Sequence, residues 1–387
     1  MKTKIFLLIS LLFLNHLSAA QPPKEWTDAE LKKLNEIPSG GDFKPNPEVS
    51  AIMIVGHGGR ILMSTDDGTT FKQVFFGHPG SDHGMWACSA VNYYNGLFIV
   101  KLGWPTMAII ASEDGINWRF LDGGKRAENL KTGKNIGFYQ TAVGGNDVIV
   151  RSGYMNIDTT SDMGKTWQTF RLSTFNQNAP RPLSTHHVKT FYMGDETGWF
   201  LAKGDDRSKG PEKQPCNFFL SKDKGKSWEW IQPKGLEKAD PKARVDFVQR
   251  KSTLVLLSMS GKDWQTFVSN DAAQTWQGPI STGMMRCSLS EAGGKFWLTD
   301  GKKTKVSEDG LSWQDFKGTL PAGKLLITEK GTMISFEAKR YNILRSTDNG
   351  KSWKEVFKYE PPKSEYIHGA QGLRAGTIGK INKKPVK

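Results

Sequence analysis

The sequence predicts an all-β fold, a seven-bladed β-propeller closed by its C-terminal strand. Three observations predict it: a polar octet that recurs seven times, the period at which it recurs, and a strand missing at one chain end that reappears at the other. The copies are STDDGTTF (64–71), SEDGINW (112–118), TSDMGKTW (160–167), SKDKGKSW (221–228), SNDAAQTW (269–276), SEDGLSW (307–313) and STDNGKSW (346–353). Their third residues, Asp66, Asp114, Asp162, Asp223, Asp271, Asp309 and Asp348, are separated by 48, 48, 61, 48, 38 and 39 residues. A period of roughly 40–50 residues is what four strands and their turns require, so each copy marks one blade.

The octet has its own local logic. An Asp accepts hydrogen bonds from backbone N–H groups just ahead of it, the Gly takes the positive φ of a tight hairpin, and Ser or Thr hydroxyls hold the remaining groups. The closing aromatic then begins the next strand and can bury its ring against a neighbouring sheet, which the polar turn cannot do. The octets resemble the Asp-box, or bacterial neuraminidase repeat, of the sialidase-like β-propellers, and the resemblance covers residues 49 to 380. Copies drift: two are one residue short, Ala273 stands where Gly is usual, and the first ends in Phe71. The resemblance implies that the boxes are folding devices on the far side from an active site.

Period-2 patterning lays the rest of the chain onto blades, each box joining a third strand to an outer fourth. After the first box come an outer strand to Phe76, an inner strand over 87–94, a turn at Asn95-Gly96, a second strand over 97–102 and a third over 107–111. FYQTAVGGNDVIVRSG, VKTFYMGDETGWFLAKG, RVDFVQRKSTLVLLSM, RCSLSEAGGKFWLTDG and KLLITEKGTMISFEA repeat the inner and second strands. Only two strands, 49–55 and 60–64, precede the first box, and one extra strand over 372–379 follows the last. The C-terminus is thus expected to supply the inner strand of the first blade, removing the free edges of an open sheet.

Residues 1–20, MKTKIFLLISLLFLNHLSAA, read as a secretory signal peptide, with Lys2 and Lys4, an apolar run and a small-residue cleavage site. The mature chain is expected to be secreted, periplasmic or extracellular, without a transmembrane segment. Residues 21–48 form an N-terminal extension with a helical pattern over 28–37, residues 49–380 the propeller and 381–387 a basic tail. The net charge of +14 falls to +12 without the two signal-peptide lysines. No stacking or basic-helix motif accompanies that charge, so nucleic acid is not expected, and an acidic polysaccharide or oligosaccharide fits better. Cys88, Cys216 and Cys287 form neither a disulfide framework nor a zinc site; Cys88 and Cys287 read as buried thiols on inner strands.

Connections between blades, and between second and third strands, lie on the face opposite the boxes. Every histidine beyond the signal peptide falls there: His57, His78, His83, His186, His187 and His368. Tyr154, Tyr341, Tyr366, Trp86, Trp104, Arg244, Arg286 and Arg340 lie in or beside the same loops. Histidine moves protons near neutral pH and ligates metals. Sialidase chemistry would need an Arg-Ile-Pro motif, but Arg60-Ile61-Leu62 runs straight into a box and belongs on a third strand. The set is more similar to the propeller-fold polysaccharide lyases and histidine-dependent glycosidases, which act on uronic-acid glycans. β-Elimination beside a uronate needs a base, an acid for the leaving oxygen, and cations on the carboxylate.

His83, beside Asp82, or His187, with Tyr192 on the following strand, are the base candidates. Tyr154, Tyr341 or Tyr366 could be the acid, and Arg286 and Arg340 the carboxylate partners, with Trp86, Trp104, His57 and His368 binding substrate. The expectation is therefore a monomeric polysaccharide lyase or glycoside hydrolase. The alternatives are a non-catalytic glycan- or protein-binding propeller and an exo-sialidase. No cofactor is expected; a metal held by His57, His83, His187 and His368 is the one chemistry the loops leave open.

Overall fold

The computed structural model describes residues 48–76, 90–102, 109–121, 141–153, 156–172, 185–206, 214–337, 341–359 and 372–381. Its strands form seven four-stranded antiparallel sheets. Blade 1 contributes β1 (Ser50–Gly56), β2 (Arg60–Ser64) and β3 (Lys72–Phe76), and blade 2 is β4 (Ala90–Tyr94), β5 (Leu97–Lys101), β6 (Ile109–Ser112) and β7 (Arg119–Phe120). Blade 3 is β8 (Thr141–Gly145), β9 (Val148–Ser152), β10 (Asn156–Thr160) and β11 (Gln168–Arg171), and blade 4 is β12 (Thr185–Tyr192), β13 (Phe200–Asp206), β14 (Cys216–Ser221) and β15 (Glu229–Ile231). Blade 5 is β16 (Arg244–Arg250), β17 (Thr253–Met259), β18 (Gln265–Ser269) and β19 (Gln277–Ser281), and blade 6 is β20 (Ser288–Ala292), β21 (Lys295–Thr299), β22 (Thr304–Ser307) and β23 (Gln314–Asp315). Blade 7 is β24 (Lys324–Ile327), β25 (Met333–Phe336), β26 (Tyr341–Ser346) and β27 (Lys354–Tyr359), after which β28 (Leu373–Lys380) returns to blade 1.

The returning strand closes the ring. β28 pairs antiparallel with β1 from Ser50↔Lys380 to Gly56↔Leu373, with one irregularity between Val55 and Gly56. It becomes the inner strand of blade 1, in the order β28-β1-β2-β3. Gly56 lets the β1–β2 turn approach β28 closely, since a Cβ there would meet the Gly372 carbonyl at 2.5 Å.

All seven octets fold alike. The first-position hydroxyl donates to the aspartate Oδ1, at 2.7–2.9 Å, in every copy from Ser64–Asp66 to Ser346–Asp348. The same hydroxyl accepts the backbone N–H of Gly68, Gly115, Gly164, Gly225, Ala273, Gly310 or Gly350. Aspartate Oδ1 accepts the N–H of Thr70, Asn117, Thr166, Ser227, Thr275, Ser312 or Ser352. The drift at Ala273 leaves this pattern intact, at the cost of an alanine held at φ +69°.

The aromatic that ends each octet lies in the seam with the preceding blade. Trp228 packs with Val150 and Ile157 of blade 3, Trp276 with Phe218 of blade 4, and Phe71 with Ile334 and Ile343 of blade 7. The described apolar core is accordingly divided into seven clusters, one per seam. The polar turn fixes the hairpin and its aromatic fixes the blade to its neighbour, so one octet does both jobs.

Every box aspartate is held below the usual carboxylate range. For Asp162 and Asp348 the largest cause is the hydroxyl of Thr166 or Ser352, followed by that residue's backbone N–H. At the other five, burial pulls upward and the hydrogen bonds outweigh it. Folded pKa values below unfolded ones contribute stability that is full above about pH 4 and is lost as pH falls further. The urea midpoint is therefore expected to stay level from neutral pH down to about 5 and then drop steeply. A midpoint unchanged between about pH 5 and 3 would contradict the role assigned to these carboxylates.

Candidate functional site

A cavity of about 860 Å³, open to solvent, lies among the inner strands. Its lining comes mainly from β4, β8, β12 and β16, with Lys203 of β13 and Ala375 of β28. Glycans and other small ligands suit such a concave, partly aromatic space with a few polar groups.

Charge is concentrated at one level of this channel. Lys189 on β12 and Lys203 on β13 are direct cross-strand partners, so their side chains share one face of the sheet. Lys203 is buried and bonds Asp205 at 3.1 Å. Asp246, near the start of β16, accepts from Lys324 at 3.2 Å; Lys324 opens β24 and also donates to the Leu289 carbonyl of the blade between. The cluster thus sits towards the mouth opposite the boxes.

The Lys189 side chain meets channel solvent, yet strands surround it. That enclosure, then Lys203, lowers its pKa from the ordinary lysine value. A lysine whose folded pKa lies below its unfolded one costs the fold stability at neutral pH, a cost relieved as pH rises through the folded value. Lys189→Met is expected to raise the thermal midpoint at neutral pH, with the gain shrinking at alkaline pH. A lowered midpoint at neutral pH would contradict this electrostatic reading.

Nearer the boxes, three tyrosines line the inner strands. Tyr93 lies over Gly379 and donates to the Lys380 carbonyl at 2.8 Å. Tyr94 lies over Gly144 and Tyr192 over Gly145, so β8 is held between the rings of its two neighbours. The Tyr94 hydroxyl accepts the Asp147 N–H at 3.0 Å, and the Tyr192 hydroxyl donates to Asp195 at 2.7 Å. Burial and then Asp195 raise the Tyr192 pKa, so this phenol holds its proton firmly.

The residues singled out in the sequence are distributed unevenly. His83, Trp86, Trp104, Tyr154, Arg340, Tyr366 and His368 lie outside the described residues, as do His78, Asp82, Cys88 and the expected signal peptide. His186 and His187 sit on β12, two and one residues before Val188, and only their backbone is described. His57 opens a short 3₁₀ turn (His57–Gly59) between β1 and β2 and donates its backbone N–H to Gly372 at 3.1 Å. Arg286 is exposed two residues ahead of β20, with φ +55°. Arg244 opens β16.

Tyr341 departs from expectation. Its ring is 5% exposed and packs edge-on against Tyr359 at 5.6 Å, in the seam between blades 7 and 1. It is core, because Arg60 and Tyr359 complete an aromatic–cation stack there that no spacing in the sequence displays. Arg60 is itself buried at the start of β2, the third strand of its blade, and bonds the Tyr359 hydroxyl at 2.7 Å. Cys216 and Cys287 are buried free thiols, whose pKa values burial pushes up to about 12 and about 11. Lys189, Lys203 and Asp246 were not anticipated. The available signal was a lysine in the middle of each of two otherwise apolar strands, VKTFY and FLAKG.

Among the described residues no three His, Cys, Asp or Glu side chains converge as a metal site would, and no helix is long and apolar enough to cross a membrane. No family model matches the chain, and no curated protein matches it. Its fold is similar to that of solved structures at low identity. A catalytically inactive virginiamycin B lyase from Staphylococcus aureus, with quinupristin, is 10% identical over 72% of this chain and 86% of that one, with a TM-score of 0.48. YCF48 from Cyanidioschyzon merolae is 14% identical over 76% and 87%, with a TM-score of 0.46. The structural neighbours include glycoside hydrolases, among them the GH74 enzyme of Niastella koreensis at 15% identity and a TM-score of 0.40, covering 82% of this chain and 56% of that one. These likenesses concern the fold alone.

Proposed function

We propose that this protein is a secreted, carbohydrate-active propeller of the sialidase-like Asp-box type that acts on an acidic, uronic-acid-containing polysaccharide. The observation that carries the reading is the central channel, where ammonium groups stand beside aromatic rings in a cavity of about 860 Å³. Aromatic faces suit the C–H faces of sugars, and paired lysines suit their carboxylates. Chemistry, in this proposal, comes from the loops of the mouth opposite the boxes, with His83 or His187 as base and Tyr154 as acid. Arg286 and Arg340 neutralise the carboxylate, and Trp86, Trp104, His57 and His368 bind the chain. Lyase and glycosidase outcomes both remain within it. A non-catalytic glycan binder is the second reading; it is favoured by the channel lining, whose lysines and aromatic rings can hold an anionic sugar without any proton transfer.

Purified protein is to be incubated with a panel of acidic polysaccharides while ultraviolet absorbance of unsaturated uronate and new reducing ends are both followed. Absorbance in wild type, reduced about a hundredfold or more by His83→Ala or His187→Ala, is the expected result and identifies elimination with its base. Reducing ends without absorbance mean hydrolysis. Binding without either signal establishes the second reading, and no binding to any acidic glycan removes both.

A further inference from the structure

We propose that Lys189 and Lys203 form a receptor for the carboxylate of a single uronic-acid unit, with Phe191 supplying an apolar wall beside it. This deepens the acidic-polysaccharide reading and rests on it for the class of sugar.

The arrangement is unusual for a folding device. Like charges placed directly opposite on one face of a sheet repel, and Lys189 and Lys203 are such partners. Around them the charges that act on Lys189 are Asp205 on the same strand as Lys203, Asp246 on β16 and Lys324 on β24, while Asp195, which also lines the cavity, accepts from the Tyr192 hydroxyl nearer the boxes. Both carboxylates are already engaged, Asp205 with Lys203 and Asp246 with Lys324. Beside Lys189 the other two ammonium groups, Lys203 and Lys324, each hold a carboxylate, so an anion that reaches Lys189 relieves the repulsion between the opposed lysines.

The neutral polar wall groups point elsewhere. Asn92 donates across to the Ala142 carbonyl, Thr141 accepts the Thr190 N–H, and Gln249 donates to the Tyr192 and Lys251 carbonyls. They tie neighbouring strands together. The lysines are therefore the donors on this wall best placed to meet a ligand. Alternation puts Phe191 on the same face of β12 as Lys189, and its ring lies 4.7 Å from that of Phe247 across the seam. Both rings line the cavity. A ligand with a carboxylate on one side and a C–H-rich ring on the other matches this wall, which is the chemistry of a uronate; inorganic phosphate has the charge and lacks the face.

Calorimetric titration of the full chain with galacturonate, oligogalacturonate, galactose and inorganic phosphate tests the assignment. Wild type is expected to bind both uronates, and Lys189→Met and Lys203→Met each to weaken them about tenfold or more. Lys351→Met, an exposed lysine in the last box, is the control and is expected to change nothing. A cooperative thermal transition and an unchanged circular dichroism spectrum in both variants show that lost binding is not lost folding. Uronate binding unchanged in both lysine variants overturns the site, and so does galactose or phosphate binding as tightly as galacturonate. If galacturonate binds through the lysines while no polysaccharide is bound or cleaved, this site stands and the polysaccharide reading falls. If neither uronate binds wild type, the site is refuted outright.

Discussion

Deleting residues 372–387 is expected to abolish cooperative folding altogether. β28 supplies the whole inner strand of blade 1, and its loss strips β1 of seven register partners from Ser50 to Gly56. It also exposes Ile52 and Ile54, both fully buried, and removes Leu373 from the seam with blade 7. Burial of each large aliphatic side chain is worth about 1.5–3 kcal/mol and each ladder hydrogen bond about 0.5–1.5. The sum is comparable to the whole ~5–15 kcal/mol by which a folded domain outweighs its unfolded chain. The inner ends of two seams open together, since Gly379 packs under Tyr93 of blade 2 and Gly376 against Leu326 and Phe336 of blade 7. Circular dichroism of the truncated protein should show no sigmoidal thermal transition; a transition within a few degrees of the full chain would mean that six complete blades stand as an open ring.

The largest effect of a single substitution is expected at Gly164. This residue of the third box has φ +88°, and a Cβ on it would strike the Leu121 carbonyl of the preceding blade. That oxygen cannot swing aside, because it accepts the Trp167 indole N–H at 3.2 Å in the same seam. The left-handed backbone costs a non-glycine residue about 1–2 kcal/mol, and forcing the two blades apart adds about 1–3. Gly164→Ala is expected to destabilise the protein by about 3 kcal/mol in urea unfolding. Gly194→Ala separates the two contributions, since Gly194 has φ +92° with nothing within 4 Å of its Cβ position. It should cost only the backbone part, about 1 kcal/mol. Equal losses in the two variants would show that the seam yields and that conformation alone matters.

The contrast between these glycines reflects what a sequence can and cannot display. The octet was legible because its bonds run between residues two to four apart, so Asp66 and Thr70, or Asp348 and Ser352, carry the whole turn in one glance. The closing strand was legible by count, two strands before the first box and one too many after the last. Tyr341 was misplaced because its partners, Arg60 and Tyr359, come from both sides of the ring closure. Lys189 and Lys203 escaped notice for a related reason. Period-2 patterning tells which residues share a face, but whether that face meets a neighbouring blade or the channel depends on the curvature of all seven blades together. Histidines in loops draw attention by residue type alone; lysines within strands acquire meaning only from the cavity they enter.

The pairing of β1 with β28 also sets an order in time. Ser50 meets Lys380, so the contact closes a loop of more than about 300 residues, whereas every box closes over a handful. Hairpins and seams between consecutive blades can therefore condense early, and the strand pair joining the two ends comes last. Until it does, the wall holding Lys189 and Lys203 lines an open arc accessible to water from one side. Ligand capture in a refolding experiment should lag the burial of the box tryptophans, making binding a clock for the final step of folding.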